Sequence, residues 1–235
     1  MTQSFRTLLL GATVLLSMAS ASAVMSAPAK PAPLKQFNAE YLATYMGMQA
    51  NAVMALAPAG GNRWKYSLNI DSGLAKLSQS TTFEDRDGQW RPLSGTDSSV
   101  VLIKKVRKEA TYDWAKGEAR WSGDVKPDRA GPVPLQTGDL DAMLINLTIA
   151  RDVAAGKPLN YRMVDDGRVK QLSYQPAGQE AITIDGKSQQ ASKFSRTDGE
   201  KQTVVWVVDG LPVPARILQR KNGKDEMDLR IKSLR

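Results

Sequence analysis

The chain has 235 residues, 42% of them hydrophobic, with 32 Lys and Arg against 24 Asp and Glu, a formal net charge of +8. It contains neither cysteine nor histidine. Such a composition supports a real hydrophobic core and excludes disulfides, thiol nucleophiles, Ser-His-Asp triads and histidine-based zinc sites.

Arg6 opens a short positive segment, residues 8–18 form an apolar run, and Ala19, Ser20, Ala21, Ser22 and Ala23 follow. That order is a secretory signal peptide, and Ala21-Ser22-Ala23 fits its cleavage rule, so a cut is expected between Ala23 and Val24. The apolar run is shorter than the ~20 residues of a membrane span, and no cysteine follows it to take a lipid anchor. The expected organisation is a signal peptide over 1–23, an Ala/Pro-rich disordered lead-in over 24–36, and a single β-rich domain over 37–235. The expected location is the periplasm. The mature chain is expected to be a monomer without a transmembrane span.

Strand signals dominate from Phe37. Phe37, Ala39, Tyr41, Ala43 and Tyr45 alternate with other residues, residues 50–57 alternate more weakly, and Trp64, Tyr66, Leu68 and Ile70 alternate again. Leu74, Leu77 and Phe83 continue the pattern less cleanly. Residues 99–106 (Ser-Val-Val-Leu-Ile-Lys-Lys-Val) read as one further strand, and residues 112–121 as a hairpin around Lys116-Gly117. Later strand-like runs cover 203–208, 213–219 and 227–234. Turn chemistry is the strongest fold signal. Asp87-Gly88, Asp166-Gly167, Asp185-Gly186, Asp198-Gly199, Asp209-Gly210 and Asn222-Gly223 all supply the positive φ that tight hairpins need.

One segment has a different period. Leu140, Met143, Leu144 and Leu147 fall at i, i+3, i+4 and i+7, with Ile145 and Ile149 widening the stripe. A largely buried helix is expected over 139–154, capped by Thr137 or Asp139 and ended by Gly156 and Pro158. The fold class is therefore mainly β: a curved antiparallel sheet or partial β-barrel with one buried α-helix.

Catalytic spacing is sparse: the chain has no Ser-x-x-Lys pair and no glycine-rich phosphate loop. Glu84-Asp85-Arg86-Asp87 and Asp165-Asp166-Gly167 read as charged hairpin tips, since neither has the spacing of a calcium loop. No cofactor or metal is expected. Basic residues gather at Lys104, Lys105, Arg107 and Lys108, and again in a C-terminal run from Arg216 to Arg235 that holds no aromatic, so nucleic acid is not an expected partner. The aromatics nominated to line an apolar groove are Tyr41, Tyr45, Trp64, Tyr66 and Trp206.

Three stretches carry a family resemblance: Phe37-Asn38-Ala39-Glu40-Tyr41, then Gly138-Asp139-Leu140-Asp141-Ala142-Met143-Leu144, and residues 206–216 (Trp-Val-Val-Asp-Gly-Leu-Pro-Val-Pro-Ala-Arg). In that order the sequence resembles the domain of unknown function 3108 family of exported bacterial proteins. More loosely, it is similar to the periplasmic lipoprotein-carrier-like fold, whose curved half-barrel covers an apolar cavity. The resemblance implies a periplasmic location and a hydrophobic ligand, and it carries over no catalytic residues.

Three functions follow as expectations. The leading one is a non-catalytic binding protein for a lipid, glycolipid or other apolar envelope component, with a groove rimmed by basic residues. The alternative is an envelope structural or protein-interaction factor. The third is a hydrolase built on two carboxylates brought together by folding.

Overall fold

The computed structural model describes residues 33–45, 47–73, 75–101 and 103–235. The expected cleavage site at Ala23 and Val24, and nearly all of the lead-in, lie outside the described residues.

The first half of the chain is an antiparallel meander. Its strands are β1 (Phe37–Tyr45), β2 (Met48–Pro58), β3 (Arg63–Asp71), β4 (Ala75–Arg86), β5 (Gln89–Val101), β6 (Lys104–Asp113), β7 (Glu118–Gly123) and the short β8 (Val133–Pro134). The second half is another meander: β11 (Gln175–Ile184), β12 (Lys187–Asp198), β13 (Lys201–Val208), β14 (Arg216–Lys221) and β15 (Lys224–Leu234). Between them come the helix α1 (Ala142–Ala154) and a separate hairpin of β9 (Asn160–Asp165) and β10 (Arg168–Ser173). The meanders fuse where β1 pairs with β15, giving a 13-stranded sheet in the order β11-β12-β13-β14-β15-β1-β2-β3-β4-β5-β6-β7-β8. Its two ends, β11 and β8, do not pair with each other, so the sheet is not closed into a barrel.

The helix reports the curvature. α1 touches β13 on one side and β3 and β4 on the other. β13 and β4 lie six places apart in the strand order, about 29 Å on a flat sheet. A helix with its side chains is only ~10–12 Å across. The sheet must therefore curl around α1, whose Leu144, Leu147 and Ile149 are buried against Tyr66, Phe83 and Val205 in one core. The β9–β10 hairpin packs near the ends of the sheet. Val164 joins Tyr112, Trp121 and Val133 in a smaller core, and Lys170 pairs with Asp198 at 2.9 Å. Among the described residues no helix is long and apolar enough to cross a membrane.

Four of the six expected Gly turns have positive φ at both residues: Asp87-Gly88, Asp166-Gly167, Asp185-Gly186 and Asn222-Gly223. Each joins two successive strands, as the mirror-image turns of tight hairpins require. The expectation for residues 99–106 needs correction. They are not one strand, because the chain reverses between Val101 and Lys104, with Val101 paired to Lys104 and Val100 to Lys105. No Gly, Asn or Asp marks this turn.

The helix also starts later than expected. Its cap is Asp141, whose Oδ1 accepts from the Leu144 N–H at 2.8 Å. Asp139 instead accepts from the Gln136 N–H at 2.7 Å and from Arg162, while Leu140 bridges in parallel to Met163 of β9. Those contacts keep residues 139–140 outside the helix, with Leu140 in a β-bridge. At the other end Gly156 has φ +63, the left-handed conformation expected of it.

Candidate functional site

The helix fills only part of the concave face. Beside it lies a cavity of about 480 Å³. Its floor is apolar: Met54, Leu68, Met143, Ile217 and Leu229 come from β2, β3, α1, β14 and β15. The rest of its lining carries the polar groups Thr81, Asp97, Lys108, Glu109, Asp141 and Asp165, beside Ala110, Tyr112 and Trp121.

Exposure along each strand locates the mouth. On β3, Leu68 is buried and Ile70 half-buried; on β4, Thr81 is buried and Gln79 half-buried. Ile217 is buried while Gln219 is exposed, and Leu229 is buried while Met227 is half-buried. In every case the more exposed residue is nearer the hairpin turn joining β3 to β4 or β14 to β15. The cavity opens toward that end of the sheet, and the other end is packed solid by Phe37, Leu56, Phe83 and Trp90.

The polar wall carries an unusual charge arrangement. Asp141 is buried. Its Oδ2 accepts from the Thr81 hydroxyl at 2.5 Å, and burial pushes its pKa up to about 6 despite those bonds. Asp165, also on the wall, is pushed up to about 7, first by burial and then by repulsion from Asp141. A bond from the Asp166 backbone opposes the shift, and the charges of Asp166 and Asp97 add to it. Lys108 is the one cation among the described lining residues, and it pairs with Asp166 at 3.0 Å. The rim is thus acidic where a basic one was expected. Of the basic cluster on β6, Lys104, Lys105 and Arg107 are exposed and are not lining residues, Arg107 being held by Glu109 at 2.7 Å, and only Lys108 reaches the cavity. The C-terminal basic run is tied up elsewhere, with Arg216 and Arg230 both on Asp228 at 2.8 Å and Arg220 on Asp225 at 2.7 Å.

None of the five nominated aromatics is among the lining residues. Tyr41 is buried and donates to the Pro214 carbonyl at 2.7 Å. Tyr66 is buried with its hydroxyl 3.2 Å from Met54 Sδ, and burial raises its pKa above the usual tyrosine range. Trp64 is half-buried against the main core. Trp206 is buried, donates to Glu180 at 3.1 Å, and is covered by Arg216 and Lys193. Tyr45 is exposed at the end of β1. The lining instead combines aliphatic and polar residues with two aromatics that were not nominated, Tyr112 and Trp121.

The sequence model of the family described as "Protein of unknown function (DUF3108)" matches residues 41–230. A crystal structure of a β-barrel-like protein of the domain of unknown function DUF1849 from Brucella abortus is similar in fold. Its TM-score is 0.52 at 12% identity, and the match covers 85% of this chain and 97% of that one. A crystal structure of MucB matches with a TM-score of 0.38 at 9% identity, over 85% of this chain and 52% of that one. No curated protein matches the chain in sequence.

Proposed function

We propose that this chain, which belongs to the DUF3108 family of proteins of unknown function, is a non-catalytic binding protein. Its cavity takes the apolar part of an amphiphile and leaves the polar part at the mouth. We place it in the periplasm on the strength of the N-terminal pattern around Ala23 and Val24.

The observation that carries the reading is the half-filled concave face. A curved sheet with one helix could have packed solid, and at one end it does. At the other end about 480 Å³ stays open above Met54, Leu68, Ile217 and Leu229. That volume falls within the range of small-molecule sites, as does an apolar lining with a few convergent polar groups. A ligand segment of about eight methylenes entering it would gain about 6 kcal/mol from burial, before the cost of association.

Uptake of a fluorescent fatty-acid analogue tests this reading. Emission should rise on mixing with the protein, and Met227→Trp at the mouth should suppress the rise. No enhancement with wild-type protein, or enhancement unchanged by Met227→Trp, counts against it.

A second reading, a carboxylate hydrolase, draws on one observation: Asp141 and Asp165 share the wall and both lean toward protonation. Against it, Asp141 is committed to capping α1 and to Thr81. Hydrolysis of a bound ester by wild-type protein and not by Asp165→Asn would favour this second reading.

A further inference from the structure

Successive hairpins of an antiparallel meander turn alternately at its two ends. The β1–β2, β3–β4 and β5–β6 turns therefore share one end, and the pairing of Tyr45 with Met227 puts the β14–β15 turn there too. This is the end toward which the cavity opens.

Two of the four tips at this end are unusually apolar. Among the described residues the exposed large hydrophobics are Tyr45, Met48, Val53, Val101, Ile103 and Val169. Four of these six sit at two of the shared tips. Tyr45 and Met48 flank the β1–β2 turn at 54% and 63% exposure, and Val101 and Ile103 form the β5–β6 turn region at 52% and 95%. Elsewhere the tight turns are Asp-Gly and Asn-Gly, so polar residues were available to this fold at such positions. Residues 98–106 also hold Lys104 and Lys105 with no acid among them. Both lysines are exposed, and neither is in an ion pair among the described residues.

We infer that this end of the sheet docks on an anionic lipid bilayer, with Ile103, Val101, Met48 and Tyr45 entering the interface and Lys104 and Lys105 resting on headgroup phosphates. The spacing favours a bilayer over a protein. The two tips stand about four strand spacings apart, ~19 Å, whereas a stable protein interface needs a continuous surface of ~800 Å² per partner. A bilayer accepts separated anchors because its apolar interior is continuous. Charge matches at the β5–β6 tip, where each lysine near an anionic leaflet contributes a severalfold gain in binding; the acids Asp141 and Asp165 lie on the cavity wall and not at the tips. Docking here would point the cavity mouth at the membrane, yet the inference stands on the tips alone, independent of what the cavity holds.

Co-sedimentation of the purified protein with phosphatidylethanolamine–phosphatidylglycerol vesicles, and with phosphatidylcholine vesicles, tests it. Wild-type protein should pellet with the anionic vesicles, weakly with the neutral ones, and less as salt rises. Ile103→Asp should weaken binding roughly tenfold, and Lys104→Glu with Lys105→Glu roughly fivefold per site. Both sites are exposed, so circular dichroism should be unchanged. Met227→Trp should still bind vesicles, which separates this result from the cavity assay. The inference is overturned by wild-type protein that stays in solution, or by Ile103→Asp binding as well as wild type. A wild-type dimer that Ile103→Asp dissociates, without vesicle binding, also overturns it and assigns the tips to a second copy of the chain.

Discussion

Asp141→Asn separates the two jobs of the helix cap. The amide oxygen can still accept from Leu144 N–H, and the amide nitrogen can donate to the Thr81 hydroxyl in place of the bond at 2.5 Å. What disappears is the charge. Burial raises the Asp141 pKa from 3.8 to about 6. A folded-state pKa above the unfolded one means the folded form prefers the proton. Its contribution is fully present below about pH 4 and is lost as pH rises through about 6. At 1.36 kcal/mol per unit this comes to about 3 kcal/mol. Urea unfolding at steps from pH 4 to pH 8 measures it. Wild-type stability should fall across that window, and the Asn variant should lack about 3 kcal/mol of the fall. In the variant Asp165 also loses its charged neighbour, so its own titration should move down from about 7. Parallel stability profiles for the two proteins would refute the reasoning, because a buried, raised carboxyl cannot be removed without changing the slope.

Gly167→Ala should destabilise by about 2–3 kcal/mol or more. Its φ is +67, and an added Cβ would meet the Arg129 carbonyl oxygen at 2.3 Å. Gly186→Ala has φ +73 but open space around the new Cβ, so thermal unfolding should show only the backbone cost of about 1 kcal/mol. Equal losses would contradict the close approach of the β9–β10 turn to Arg129. Tyr41→Phe should cost about 1–2 kcal/mol by leaving the buried Pro214 carbonyl unpaired, while probe uptake into the cavity stays at the wild-type level. Reduced uptake in that variant would tie the nominated aromatics to the site after all.

Local chemistry was legible in the sequence, and long-range geometry was not. Four Gly turns declared themselves because positive φ at two successive residues demands Asp or Asn before Gly. The helix declared itself through Leu140, Met143, Leu144 and Leu147, although Leu140 turned out to serve a bridge to Met163. The β5–β6 turn was hidden because its residues are Val, Leu, Ile and Lys, which read as strand. That same mismatch between turn position and apolar residue is what marks the tip as a contact surface.

The cavity was hidden for a different reason. Its polar wall joins Thr81 to Asp141, 60 residues apart, and no spacing rule reaches that far. Asp165 had one local signal, an acid directly before Asp166-Gly167, which reads equally well as a solvated hairpin tip. The aromatics misled because large rings are the efficient way to fill space. Phe37, Tyr66, Phe83 and Trp90 go to the packed core, while Met143, Met227 and Ile70 line the cavity together with Tyr112 and Trp121, two rings outside the nominated set.

The most direct test of the central claim is native mass spectrometry of the protein expressed from its full sequence in bacterial cells and purified without detergent. The account predicts a population carrying one added amphiphile mass, lost in Met227→Trp. A single apo mass in the wild-type protein, unchanged after incubation with extracted envelope lipid, would contradict it.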